Sequence, residues 1–299
     1  MKNENYILYF THGSDQFLNE AVFALLSYYA HHKVDENKVV VYTDNIPFFK
    51  NKLPNNIEYI ALDKQTIQKW KGKINFVHRA KIELLKDFAT RFSGNVLYLD
   101  SDTYFKTNVL SLFTNIENRI PIMSIKEGAI DSSPLKNMRE FNRYFTKNNH
   151  QLSIDGKTFK FNKDVRMYNA GIIGANSQEN AVLFDDALTL TDTIYPENPN
   201  HVVEQFAFSY LFQTKSDKIV EAEPLIHHYW YFKEFRGILE QFFEKYKSKS
   251  FEELLALYSN IDPEYLGAEK LRYKNASFVE KIRIKITTLR KWKIRDYQL

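Results

Sequence analysis

The first hundred residues alternate short apolar runs with amphipathic patterns. Residues 6–11 (YILYFT), 38–43 (KVVVYT) and 57–62 (IEYIAL) are rich in β-branched and aromatic side chains, which predicts three strands. The segment between the first two carries a helical pattern through Tyr29. Strands that alternate with helices in this way predict an α/β fold with a mostly parallel sheet and helices on both faces.

The pattern continues through the rest of the chain. A helix is predicted over residues 76–92, and the apolar run 96–99 predicts a buried strand. Further predicted elements are strands at 121–125, 167–174 and 219–228, and a helix at 203–212. From residue 235 onward the pattern is helical, with a break near Asp262 and Pro263. We therefore predict an α/β domain over residues 1–235 and a C-terminal helical extension over residues 236–299.

Polar residues stand where the predicted strands end. In open parallel sheets, ligands bind beyond the carboxyl ends of the strands. Thr11 and His12 follow the first strand and Asp44 follows the second, so we expect all three to contact a ligand. The buried strand 96–99 ends at Asp100-Ser101-Asp102, where two carboxylates lie close enough to share a divalent cation. Oxygen ligands of this kind suit Mg²⁺ or Mn²⁺.

Composition narrows the class of protein. The chain has 24 Phe, 19 Tyr and 3 Trp but only 9 Gly and 8 Pro, which excludes collagen-like and disordered sequences. With 0 Cys it has no disulfide, thiolate zinc site, iron–sulfur cluster or cysteine nucleophile. The N-terminus has no signal-type pattern, and the longest nearly apolar run, 21–30, is too short to span a membrane. We expect a cytoplasmic protein.

Charge is distributed unevenly along the chain. Residues 269–299 contain ten Lys or Arg and three Asp or Glu, while the whole chain carries +4, so the remainder is mildly acidic. Basic groups confined to a tail do not predict nucleic-acid binding. Apolar residues at 278, 282, 286, 289 and 292 alternate with the basic ones, which predicts a basic amphipathic helix. Such a helix can contact an anionic membrane peripherally, which here would be at the inner membrane face. Alternatively, it packs its apolar stripe on the rest of the protein.

Several motifs occur in a characteristic order. They are residues 6–11 as first strand, His78-Arg79-Ala80-Lys81, Leu97-Tyr98-Leu99-Asp100-Ser101-Asp102, Tyr168-Asn169-Ala170-Gly171, Glu204-Gln205 and His227-His228-Tyr229. With this order and spacing, roughly residues 5 to 235 resemble the family 8 glycosyltransferases, which are retaining nucleotide-sugar transferases of the GT-A fold. The resemblance implies a GT-A, Rossmann-like catalytic domain over residues 1–235.

The resemblance also implies a metal site. In such enzymes the two motif aspartates and a later histidine hold the metal on the donor diphosphate, which assigns Asp100, Asp102 and either His227 or His228. His228 is favoured, because the family histidine is followed by an aromatic residue, here Tyr229. The implied cofactor is Mn²⁺ or Mg²⁺, and the implied donor is a UDP-sugar.

Basic groups can help a metal to absorb the charge that develops on a leaving diphosphate, and we assign this role to Lys233 and Arg79. The resemblance further implies catalytic roles for Asn169, Glu204 and Gln205. It implies donor contacts for Ser101 and Gly171.

Two departures mark the chain as a distant relative. Family members continue from the metal histidine through a Gly to Lys-Pro-Trp, whereas residues 229–235 here are YWYFKEF. Glu204 stands where the family has Asp. The expected activity is transfer of a hexose from a nucleotide diphosphate sugar to a glycan or lipid-linked saccharide. Our hypothesis for its setting is bacterial surface polysaccharide synthesis.

Two other functions remain open. The run Leu99-Asp100-Ser101-Asp102-Thr103 resembles the first motif of haloacid-dehalogenase phosphatases, with Ser124 and Asp185-Asp186 as later motif candidates. Against that function, residues 182–190 favour a helix over a strand, and a long βα-type segment precedes the motif. The second alternative is a catalytically silent protein that binds a sugar nucleotide or glycan.

Overall fold

The computed structural model describes residues 3–133, 135–162 and 164–299, and it has a mixed α/β fold. The strands are β1 (Glu4–Thr11), β2 (Lys38–Thr43), β3 (Glu58–Ala61), β4 (Gly94–Leu99), β5 (Thr103–Phe105), β6 (Ile122–Met123), β7 (Lys126–Ala129), β8 (Gln151–Ile154), β9 (Lys157–Lys160), β10 (Arg166–Tyr168), β11 (Ile172–Asn176), β12 (Val220–Glu221) and β13 (Ile226–His228). The helices are α1 (Asp15–Tyr29), α2 (Lys64–Trp70), α3 (Arg79–Arg91), α4 (Leu110–Glu117), α5 (Lys136–Lys147), α6 (Ala181–Glu197), α7 (Val203–Lys215), α8 (Phe235–Lys245), α9 (Phe251–Leu255), α10 (Pro263–Asn275) and α11 (Phe278–Thr288).

Seven strands form the central sheet, in the order β12-β6-β11-β4-β1-β2-β3. β1 pairs in parallel with β2 and with β4. The pairings of β2 with β3 and of β12 with β6 are parallel as well. Only β11 runs antiparallel, between β4 and β6. The predicted α/β fold with a mostly parallel sheet is confirmed. Tyr9 of β1 and Ile172 of β11 both lie beside Leu99, so β4 ends in the middle of the sheet.

Helices cover both faces of the sheet, and the strand sequences explain why. Successive side chains of a strand point to opposite faces. In β1, Tyr6 and Leu8 pack with α3, α6 and α7, whereas Ile7 and Tyr9 pack with α1, α4 and α8. β2 and β4 divide their apolar residues between the same two clusters. A strand buried on both faces needs apolar residues at every position, which is the continuous pattern of these runs.

The C-terminal extension shares a core with the α/β domain. Phe235 and Phe242 of α8 pack against Phe23 of α1, with ring centroids 5.3 and 6.5 Å apart. Leu266 of α10 is buried in the same cluster. The boundary between residues 235 and 236 stays a prediction. No helix of the described residues is long and apolar enough to cross a membrane.

Three predicted elements differ from the structure. The run 167–174 divides into β10 and β11, because the Asn169 side chain accepts the Gly171 N–H at 2.9 Å and turns the chain between them. The run 219–228 divides into β12 and β13 around Pro224, which has no N–H for a ladder. The last helix ends at Thr288, where Leu289 adopts a left-handed conformation with φ 54°, so Trp292 lies outside it.

We predict that truncating a core side chain of the extension destabilises the protein. Phe242→Ala should lower the free energy of unfolding by about 3–5 kcal/mol, because it leaves a cavity against α1. Urea unfolding measures this, with Phe278→Ala as the matched control, because Phe278 is 78% exposed. Equal effects of the two substitutions would show that the extension does not stabilise the body.

Candidate functional site

The site forms where β4 ends and the chain doubles back. Asp100 and Asp102 follow β4, and β5 then pairs antiparallel with β13. This pairing sets His228 opposite Thr103, and the Tyr229 N–H donates to the backbone carbonyl of Asp102 at 3.0 Å. An imidazole from residue 228 is thereby fixed beside the aspartate motif.

Asp100, Asp102 and His228 have the geometry of a metal site. One ligand atom from each lies within 4.8 Å of the others. His228 Nε2 and Asp102 Oδ1 are 3.1 Å apart. Two carboxylates and one imidazole make a donor set that suits Mn²⁺ or Mg²⁺. The residues present therefore fit a divalent cation.

The ring of His228 is oriented by Asn169. Asn169 Oδ1 accepts the Gly171 N–H at 2.9 Å, which fixes the direction of the amide. His228 Nδ1, 3.0 Å from the same oxygen, must therefore be the donor in that contact. Nε2 then faces Asp102, where either a proton or a cation has to lie between nitrogen and carboxylate. A histidine whose second nitrogen is held by a neighbour is the usual arrangement of a metal ligand.

Charges around His228 favour its protonated form when no metal is bound. Burial lowers the pKa of His228, but the carboxylates of Asp102 and Asp100 outweigh it and hold the pKa above its ordinary value. Burial likewise raises the pKa of Asp102, but His228 more than offsets this and the net pKa is lowered. A cation entering the site would displace the proton on Nε2.

Gly171 lets the imidazole approach the backbone. A Cβ placed at this residue would lie 2.0 Å from His228 Cε1. The same residue's carbonyl accepts the Asp100 N–H at 2.8 Å, so Gly171 contacts both sides of the candidate metal site.

Of the two histidines of β13, His228 is the one beside the aspartates. His227 instead lies near Tyr231 and Glu223, with nitrogen–oxygen distances of 3.2 and 3.3 Å. Lys106 stands 3.8 Å from Glu223 and supplies positive charge there.

Lys81 is a buried part of the site that we did not predict. Its ammonium lies 3.1 and 3.2 Å from the two Asp100 carboxylate oxygens and donates to the Ala170 carbonyl at 2.8 Å. Burial lowers the pKa of Lys81, but Asp100 and then Glu204 raise it above the ordinary value overall. The sequence carried one signal: Lys81 interrupts an apolar helical stripe that includes Leu85 and Phe88.

Glu204 and Gln205 begin α7 at the same cleft. Glu204 is buried, and its Oε2 has no hydrogen-bond partner among the described residues. Gln205 Nε2 donates to Glu127 Oε2 at 2.9 Å. Asn169 Nδ2 lies 3.3 Å from the other Glu127 oxygen, so Glu127, also missed from sequence, holds two amides. The side-chain oxygen of Gln205, Oε1, then points away from Glu127 and can accept a hydrogen bond.

These residues line a cleft of 1010 Å³. It collects eight of the predicted site residues: Asp100, Asp102, Asn169, Gly171, Glu204, Gln205, His228 and Lys233. The opposite wall comes from the extension, through Leu271, Lys274 and Asn275 of α10. Lys274 Nζ lies 3.0 Å from the centroid of the Trp230 ring, which also lines the cleft. The extension thus completes the cleft.

Arg79 does not line the cleft. Its guanidinium donates to Asp192 from Nε at 2.7 Å and to Glu83 from Nη1 at 2.9 Å. The contact with Asp192 ties α3 to α6, whereas Glu83 lies on α3 itself. Lys81 of the same helix lies at Asp100 instead. The partners of Arg79 in this structure are carboxylates, and its role at the leaving diphosphate stays a prediction.

Four other predicted positions lie outside the cleft lining, namely Thr11, His12, Asp44 and Ser101, whereas the alternative candidate His227 lines it. Thr11, His12 and Asp44 lie at the carboxyl ends of β1 and β2, where Asp44 accepts the Gly13 N–H at 3.1 Å. Thr11 is buried, and its hydroxyl has no partner within the described part of the chain. Their role as nucleotide contacts stays a prediction.

A buried ion pair lies behind the aspartate motif. Arg236 Nε of α8 donates to Glu20 Oε1 of α1 at 2.9 Å, and the Ser101 hydroxyl donates to Glu20 Oε2 at 3.4 Å. Burial, and then the Asp102 carboxylate, raise the pKa of Glu20 to about 7. This pair was not predicted, because its partners are far apart in sequence.

The phosphatase alternative lacks its second acidic pair. Residues 181–197 form α6, as the helical pattern predicted. Asp185 pairs with Lys86 at 2.7 Å and Asp186 pairs with Lys157, and neither aspartate lines the cleft. The remaining candidate of that motif set, Ser124, does line it.

No family model matches the chain, and no curated protein sequence matches it. Among solved structures, the fold is similar to that of the galactosyltransferase LgtC, crystallised with donor and acceptor sugar analogues. The two share 15% sequence identity, the match covers 72% of each chain, and the TM-score is 0.48. At this level the similarity concerns the fold and assigns no role to any residue.

We predict that Gly171→Ala weakens Mn²⁺ binding at least about tenfold, because the new methyl group displaces the His228 ring. Titration calorimetry with Mn²⁺ measures this. Gly237→Ala is the matched control, because a Cβ there meets nothing within 4 Å. Unchanged affinity in Gly171→Ala would remove His228 from the ligand set.

Mn²⁺ affinity should also depend on pH. His228 must release its Nε2 proton to bind a cation, while Asp102 stays ionised because its pKa is lowered. Below the raised pKa of His228, affinity should fall about tenfold per pH unit. Calorimetry between about pH 6 and pH 8 tests this. The same slope in His228→Gln would contradict it.

Proposed function

We propose that the chain is a metal-dependent glycosyltransferase that moves a hexose from a nucleotide diphosphate sugar to a glycan or lipid-linked saccharide. The observation that carries the proposal is the set of ligand atoms of Asp100, Asp102 and His228, within 4.8 Å of one another in a large cleft. The order of motifs that resembles family 8 supports it. UDP as the nucleotide, retention of configuration and a role in bacterial surface polysaccharide synthesis follow from that resemblance and belong to the same proposal.

The aspartates and His228 would hold Mn²⁺ or Mg²⁺ on the donor diphosphate. A bound cation supplies positive charge that stabilises the diphosphate as it leaves. Lys233, exposed in the cleft lining, adds a positive charge. Lys81 places a positive charge between two carboxylates, with its ammonium 3.1 Å from an Asp100 oxygen and 3.6 Å from a Glu204 oxygen.

The α7 side of the cleft fits a sugar. Sugar hydroxyls need hydrogen-bond acceptors. Two are available here: Glu204 Oε2, which has no partner among the described residues, and the side-chain oxygen of Gln205. A buried carboxylate oxygen without a partner costs free energy, which a bound hydroxyl would recover. Glu127 fixes the amide of Gln205 in the direction that leaves its oxygen free.

The α10 side of the cleft fits an acceptor. Trp230 is 41% exposed and offers aromatic surface of the type on which pyranose rings pack. The Lys274 ammonium lies over one face of the ring and, with Asn275, supplies hydrogen-bond donors. Donor and acceptor would then meet between α7 and α10, next to the metal ligands. Transfer needs that arrangement, because both reactants must be held in contact.

A thermal-shift titration with UDP, with and without Mn²⁺, tests the proposal. A ligand that binds the native state raises the melting temperature by mass action. We expect a Mn²⁺-dependent shift with UDP that is lost in Asp102→Asn. Asp217→Asn is the control, because Asp217 is exposed and lies outside the cleft lining.

Incubation with UDP-sugars then separates an enzyme from a binding protein. A transferase should slowly release UDP in the presence of Mn²⁺. Binding without consumption would favour the catalytically silent alternative. No shift with any nucleoside diphosphate would overturn the proposal, and release of phosphate from a generic ester would revive the phosphatase.

A further inference from the structure

The helix α11 turns its apolar side chains to solvent. Phe278 is 78% exposed, Val279 75%, Ile282 42% and Ile286 70%, and Leu289 just beyond the helix is 90% exposed. These five are among fourteen exposed large hydrophobic residues of the described chain, and they fall within twelve consecutive positions. So dense a group of exposed apolar residues marks an interaction surface.

The exposed residues share one face of the helix. At 100° per residue, the helical positions 278, 279, 282 and 286 fall within an arc of about 100°. Ile284 and Glu280, on the opposite side, are half-buried and line grooves against the rest of the extension. The sequence left open whether this apolar stripe packs on the rest of the protein or contacts a membrane. In the structure it does not pack on the rest of the protein.

The helix is held against α10 at its first turn and just beyond its end. Before it, Arg272 pairs with Glu280 at 3.5 Å, and Lys281 donates to the Lys274 carbonyl at 3.0 Å. After it, the Lys293 N–H donates to Glu269 at 3.2 Å. Ile294, Tyr297 and Leu299 then pack against the core. These contacts set the direction in which the apolar face points.

Basic residues border this face on both sides. On the helical wheel Lys285 lies at one edge of the apolar arc and Arg283 at the other, and both are exposed. Arg290 and Lys291 follow directly, exposed as well. A bilayer with anionic headgroups matches this pattern, because apolar side chains enter the boundary of the acyl chains while flanking cations meet phosphates.

We propose that the apolar face of α11 docks on an anionic lipid bilayer. This inference stands on the geometry of α11 and does not depend on the reaction. Joined to the proposed function, it has a consequence for the acceptor. Lys274 and Asn275, which line the cleft, lie just before Phe278 in the chain, so the acceptor wall would lie close to the lipid surface. The acceptor would then be the lipid-linked kind.

Vesicle flotation with the full chain tests the docking surface. We expect the protein to float with vesicles of mixed phosphatidylcholine and phosphatidylglycerol. Its affinity for these vesicles should be at least about tenfold higher than for vesicles of phosphatidylcholine alone. A variant with Phe278→Gln, Ile282→Gln and Ile286→Gln keeps helix propensity but removes the apolar face, and should lose binding. The control replaces Val34, Leu110 and Val182, exposed elsewhere, by Gln and should bind normally.

A charge variant provides an independent measurement. Arg283→Gln with Lys285→Gln should weaken binding to anionic vesicles at least about tenfold, whereas Lys136→Gln with Lys247→Gln should not. Absence of binding by the unaltered chain, or unchanged binding by the apolar variant, would overturn the proposal. So would a dimer that the apolar variant abolishes without any vesicle binding, because the face would then join two copies. No sugar nucleotide is present, so failure here leaves the proposed function untouched.

Discussion

The site depends on balancing negative charge that is gathered at the end of one buried strand. Asp100 and Asp102 follow β4, and Glu20 and Glu204 approach from α1 and α7. Unpaired charges are costly to bury, so the fold must bring cations to this point. Lys81 comes from α3, Arg236 from α8 and His228 from β13. Elements from both faces of the sheet and from the extension thus meet where the chemistry is expected.

This balance explains why the chain needs its extension. Arg236 begins α8 and pairs with Glu20 behind the motif, while α10 supplies the far wall of the cleft. Phe235 and Phe242 bury α8 on α1, so the helix that carries Arg236 is held by the same core that supports β4. Residues beyond 235 therefore contribute to both the electrostatics and the shape of the cleft.

Local pattern was enough to predict the strands β1 to β4, the mostly parallel sheet and the aspartate motif, because each shows in the order of neighbouring residues. It was not enough for the partners of the motif. Arg79 and Lys81 differ by two positions on α3, and only packing decides that Lys81 faces Asp100 while Arg79 faces Asp192. Glu20 and Arg236 are separated by most of the chain, so nothing local connects them. Strand breaks at 169–171 likewise depend on a side chain that turns the backbone.

The same limit applies to α11. The sequence predicts its apolar stripe, but the pattern alone does not determine whether that stripe faces the protein or the solvent. The contacts that decide this lie outside the helix, at Arg272 before it and at Lys293 after it. Because the helix is held at both ends, exposing its apolar face costs free energy that the native protein alone does not recover. An external apolar phase bordered by negative charge would recover it, and the basic residues on either edge of the face are placed to meet such a surface.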